Sequence, residues 1–65
     1  PPDAQGMTIT DRQDLQRRLT AAGFDTGGTD GVIGPKTRAA ISAWQRRNGI
    51  PATGEPTLAL LQALR

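Results

Sequence analysis

Apolar side chains return along this chain with a helical rhythm. Leu15, Leu19 and Ala22 fall at i, i+4 and i+7, so one stripe of a helix running from about Asp11 to Ala22 is apolar. Thr10 is read as its cap, its hydroxyl facing the backbone of Gln13 while the Gln13 amide reaches back. Asp11 and Asp14 suit the positive end of the helix dipole. Gly23 supplies the left-handed residue that stops the helix, and Phe24 then folds back on the core. A second helix starts at Pro35, where a missing N–H costs nothing, and ends at Gly49 after Arg46 and Arg47. Thr37, Ala40, Ile41 and Trp44 line one side of it. A third begins near Pro56 and carries Leu58, Leu60, Leu61 and Leu64, too much leucine for an exposed face, so it is expected to pack on the other two.

The polar positions are as informative. Between the first two helices runs a glycine-dense segment with Asp30-Gly31 at its centre, ending at the free N–H groups of the second helix. Its grammar returns further on, since Gly23-Phe24, Asp30-Gly31 and Pro35-Lys36-Thr37 are echoed by Gly49-Ile50, Thr53-Gly54 and Glu55-Pro56-Thr57. Leu15-Gln16 and Trp44-Gln45 form a second echo. Each glutamine sits roughly 90° from the centre of its apolar stripe, a flank from which an amide can hydrogen-bond an adjacent loop. Gln16 and Gln45 are therefore expected to act as loop clamps. The pattern predicts an all-α protein, a compact three-helix bundle with a long Gly/Asp-rich loop between helices 1 and 2. Residues 1 to 8, rich in proline and polar groups, read as a linker or tail, and 9 to 65 as the domain.

Composition narrows the chemistry. A chain of 65 residues makes one small domain, burying only about 60% of the surface its unfolded form exposes. With no cysteine and no histidine, neither a disulfide nor an ordinary metal site is expected, and no cofactor. The same absence removes the usual nucleophile and base pairs, so a binding module is expected rather than an enzyme. A net charge of +2 permits an anionic partner without demanding one. No stretch is apolar enough to insert in a membrane, and no signal-peptide core is visible at the start.

Two places could touch a ligand. Asp30-Gly31 is either a contact or simply a turn, since the carboxylate can accept loop N–H groups. At the mouth of the second helix the N–H groups and dipole favour an anion, and Lys36 and Arg38 add charge in the first turn. Arg38 is the preferred direct contact, because a guanidinium grips a carboxylate with paired hydrogen bonds. Thr37 and the backbone at Gly34 are secondary contacts.

The segments LQRRLTAAGF, DGVIGPKTRAAISAWQ and GIPATG resemble the peptidoglycan-binding domain family, the three-helix modules appended to cell-wall hydrolases. The ending GIPATGEPTLALLQAL is further similar to the C-terminal modules of lytic murein transglycosylases from Gram-negative bacteria. The resemblance implies a non-catalytic, monomeric module in the periplasm or cell envelope that holds a parent hydrolase on murein. Its partner would be the glycan or the carboxylate-bearing stem peptide. Ile33 stands where many relatives have an aromatic, and Phe24 and Trp44 are assigned by periodicity to the core, which argues against a sugar-stacking platform.

Two other classes compete. A trihelical domain with Arg38, Arg46 and Arg47 on its middle helix superficially fits a helix-turn-helix DNA binder, but that motif joins its helices by three or four residues. The segment from Phe24 to Gly34 is far longer, so no nucleic-acid partner is expected. The alternative is a structural or protein-docking domain that keeps the fold without murein affinity.

Overall fold

The computed structural model describes residues Pro1–Arg65 and holds three helices and no strand: α1 (Ile9–Ala21), α2 (Pro35–Arg47) and α3 (Leu58–Leu64). The all-α reading stands. The start of α1 differs from the expectation, because Thr8, not Thr10, is the cap. Thr8 Oγ1 accepts from Asp11 N–H at 3.2 Å and Asp11 Oδ2 accepts from Thr8 N–H at 3.0 Å, a closed capping box with a carboxylate at the positive helix end. Threonine followed three residues later by a polar acceptor occurs twice here, and the earlier frame prevails because it puts Met7, fully buried, into the core. Asp3 accepts from Gln5 and Met7 N–H and from Arg12 Nη1, folding the segment before α1 back on that helix.

Both long helices stop in the same way. Gly23 (φ +96°) and Gly49 (φ +70°) take the left-handed conformation, after which Phe24 N–H donates to Leu19 O at 2.8 Å and Ile50 N–H to Gln45 O at 3.0 Å. Helix α3 begins later than expected, capped by Thr57, whose hydroxyl accepts from Leu60 N–H at 3.1 Å. Leu60 and Leu61 are buried and Leu64 packs beside them, but Leu58, roughly 110° from the centre of that stripe, is exposed.

The core is Met7, Leu15, Leu19, Ala40, Ile41, Leu60 and Leu61, with Phe24, Ile33, Trp44 and Leu64 packed against it. Helix α1 lies between the others and packs on both, whereas α2 and α3 make no close backbone approach. The expectation that α3 rests on both partners is corrected to this extent: α3 packs on α1, and the connection after Asn48 bridges its gap to α2. Only 14 of 65 residues are buried, so the loops must be held by hydrogen bonds rather than by a large apolar interior.

Candidate ligand-binding site

Gln16 is buried at one end of the long loop and uses its whole amide there. Its Oε1 accepts from Gly31 N–H at 2.8 Å, and its Nε2 donates to Val32 O at 2.9 Å and to Thr37 Oγ1 at 3.2 Å. The Thr37 hydroxyl donates onward to Thr26 O at 3.4 Å, and Thr26 Oγ1 to Gly28 O at 2.7 Å. Loop, α1 and the first turn of α2 are thereby tied through one side chain. From outside, Arg12 Nε donates to Gly31 O at 2.8 Å, so both backbone groups of Gly31 are engaged. Gly31 has φ +84°, and a Cβ there would lie 2.6 Å from Ile9 Cγ1 and 3.2 Å from the Ile9 carbonyl oxygen. Only glycine fits.

Two aspartates shape the rest of the loop. Asp30 Oδ1 accepts from Val32 N–H at 2.9 Å and Asp25 Oδ1 from Gly27 N–H at 2.8 Å, each a short side-chain-to-backbone turn. Asp25 also meets Lys36 Nζ at 3.1 Å. The Gly27 N–H, and after it Lys36, hold the Asp25 carboxyl below the usual aspartate value, so it is ionised at neutral pH.

These pieces enclose a concavity of about 300 Å³ with Gln16 and Thr26 beneath it and Asp30, Gly34, Pro35 and Lys36 around it. Thr8 and Thr57 cap α1 and α3 with their side chains, but the α2 cap is Gly34, which has none to offer. Pro35 carries no N–H, so the Lys36 and Thr37 amides are the unpaired donors of this first turn, and both residues line the concavity. The Asp30 carboxylate lines the same concavity, whereas the Asp25 carboxylate does not and is paired with Lys36. Donors and acceptors together suit a peptide carrying both carboxylate and amine groups.

Of the residues singled out in the sequence, Asp30, Gly34 and Thr37 line the concavity. Gly31 lies under it, buried against Ile9. The Thr37 hydroxyl is engaged by Gln16 and Thr26, leaving only its backbone to a ligand. The Arg38 side chain is exposed, makes no hydrogen bond or ion pair, and does not line the concavity; the Arg38 carbonyl faces Gly54 on the second loop. Gln45 repeats the Gln16 arrangement there, with Oε1 accepting from Gly54 N–H at 2.9 Å and Nε2 donating to Thr53 Oγ1 at 3.2 Å. Sequence reasoning missed Thr26, which no periodicity marks because it lies in a loop, and Arg12, whose reach to Gly31 depends on the fold.

The fold and this concavity define a small helical binding module. The family model described as "Putative peptidoglycan binding domain" matches residues 8–64, and the chain belongs to that family. The chain is similar to SltB3 from Pseudomonas aeruginosa in complex with NAG-anhNAM-pentapeptide, with a TM-score of 0.87 and 51% identity over 91% of this chain and 16% of that one. Among curated proteins it is 41% identical over 59 residues to "Putative OxPP cycle protein OpcA" of Synechococcus elongatus, covering 91% of this chain and 13% of the relative. It is also 49% identical over 39 residues to "Localization factor PodJL" of Caulobacter vibrioides, covering 60% of this chain and 4% of the relative. The chain therefore spans a small fraction of each of these proteins.

Proposed function

We propose that the chain anchors a longer cell-wall protein, a murein hydrolase of the lytic transglycosylase kind, by gripping the stem peptide of peptidoglycan at the mouth of α2. The observation that carries this reading is the α2 N-terminus, which has no side-chain cap and opens beside Lys36 into a polar concavity. Similarity to SltB3, crystallised with a pentapeptide-bearing murein fragment, supports both the ligand class and the kind of parent. In this reading a stem-peptide carboxylate takes the free backbone N–H groups of Lys36 and Thr37, since Pro35 has none. Asp30 accepts from a peptide donor, Gly31 holds the loop in shape, and Arg38 adds charge from the same end of α2. The module acts at the cell wall as a monomer, with no nucleic-acid partner.

Sedimentation with purified sacculi tests this. Retention should fall strongly in Gly34→Asp, which installs a carboxylate where the ligand's belongs, and less in Arg38→Ala. Retention equal to wild type in Gly34→Asp would remove the α2 mouth from the site.

A second reading draws on the cyanobacterial relatives, whose name refers to the OxPP cycle rather than to the wall. There the module would dock proteins. A folded chain that fails to sediment with sacculi at low salt would favour it.

A further inference from the structure

A second concavity, sharing no lining residue with the first, lies where α2 and α3 diverge. It measures about 330 Å³ and its walls are largely apolar, formed by Trp44, Ile50, Pro51 and Ala63. Trp44, expected in the core, is only half-buried and borders this groove. No charged residue lines it.

The polar groups that do line it are Gln45, Thr53 and Thr57, and all three hold unused donor hydrogens. The Gln16 amide gives both Nε2 hydrogens to the protein, one to Val32 O and one to Thr37 Oγ1. Gln45, only 7% exposed, gives one, to Thr53 Oγ1. Thr53 Oγ1 accepts from Gln45 and from Glu55 N–H, and Thr57 Oγ1 accepts from Leu60 N–H, yet neither hydroxyl hydrogen has an acceptor. An aromatic wall with a few polar side chains that retain donor hydrogens, and no charge, is the composition of a small-molecule site. An ionised ligand would have to lose its water against the apolar wall, and a purely apolar one would cover the donors without satisfying them.

We infer that this groove binds a neutral N-acetylated sugar ring, its apolar face on Trp44 and its acceptor oxygens on Gln45 Nε2 and the hydroxyls of Thr53 and Thr57. The choice of an N-acetylated sugar among neutral acceptors rests on the peptidoglycan reading. The module then reads murein with two faces built on one plan, each a glutamine-clamped loop beside a concavity, one polar for the peptide and one apolar for the glycan.

The experiment is an NMR titration of the chain with chitotetraose, a tetramer of N-acetylglucosamine, beside maltotetraose and a sugar-free stem pentapeptide. Chitotetraose should shift the Trp44 indole N–H, the Gln45 side-chain amide and the backbone from Thr53 to Thr57, saturably. Ala63→Leu, at an exposed position, fills the groove without entering the core and should weaken chitotetraose at least about tenfold. Absence of those shifts at about 10 mM sugar, weaker than any useful site, would overturn the inference. So would equal binding by maltotetraose, or unchanged binding by Ala63→Leu. The pentapeptide reports separately: failure to shift residues 26 to 37 would sink the stem-peptide site while leaving the groove's result intact.

Discussion

At the scale of single residues, Gln16 carries more of this structure than any ion pair. Replacing it by Leu leaves Gly31 N–H and Val32 O without their side-chain partner and the Thr37 hydroxyl with only its bond to Thr26 O, at a cost of about 2–3 kcal/mol. Gln16→Leu should therefore lower the denaturation midpoint markedly and speed amide hydrogen exchange across residues 28 to 34. Unaltered protection there would mean the loop holds itself. The role of this glutamine was legible in sequence because its angular position beside the Leu15–Leu19 stripe is fixed by helix geometry. Arg12 was not legible, since its bond to Gly31 O joins residues far apart in sequence. Three aspartates set the response to acid. Asp3 is held low first by the Met7 N–H and Asp25 by the Gly27 N–H; at Asp14 partial desolvation pulls upward, but bonds from Arg18 and Arg65 outweigh it. Each folded carboxyl thus has a lower pKa than the unfolded one, so the unfolded chain binds more protons and stability rises with pH in that range. The contribution is complete above the unfolded aspartate value of about 3.9 and is lost as pH falls through the folded values. Thermal melts from pH 7 downward should stay level as far as these groups are concerned until about pH 4, then decline.

Among the elements, glycines that look alike in sequence do different work. Gly31→Ala puts a Cβ against Ile9 side chain and backbone at a left-handed φ, and should cost about 1–3 kcal/mol by chemical denaturation. Gly34 has neither a positive φ nor any atom within 4 Å of a new Cβ, so Gly34→Asp is sterically free. It would cap α2 and raise stability by about 0.5 kcal/mol while weakening the ligand. A variant that melts higher yet releases sacculi separates function from fold, whereas one that melts lower would show that the cap geometry is otherwise. Helix existence and type followed from the apolar stripes, and both glycine stops from Gly23 and Gly49. The start of α1 did not, because Thr8 and Thr10 offer competing caps and the choice turns on burying Met7, a tertiary contact. Pro56 similarly pointed to the start of α3 two residues before Leu58, since proline is as compatible with the approach to a helix as with its first turn.

At the scale of the whole molecule, α1 serves as the shared support and each of the two connections borders one of the concavities. The polar mouth of α2 could be read in sequence from Pro35 following a glycine-rich loop; the groove beside Trp44 could not, because periodicity alone assigns that side chain to the interior. It becomes visible only when α2 and α3 are seen to diverge. The charge distribution has the same character. Lys36 and four arginines pair with aspartates, whereas Arg38, Arg46 and Arg47, all on α2, have no acidic partner. Retention on sacculi should consequently weaken with salt, since exposed charges are screened beyond about 8 Å at physiological ionic strength. Retention that does not change with salt would assign the affinity to uncharged contacts instead.

The central claim is that the Gly/Asp-rich loop and the uncapped N-terminus of α2 bind an acidic murein peptide. Titrating the isotope-labelled chain with a soluble stem pentapeptide tests it most directly. The account predicts saturable amide shifts confined to residues 26 to 37 in wild type and their loss in Gly34→Asp. Shifts elsewhere, or an equal response in both proteins, would contradict it.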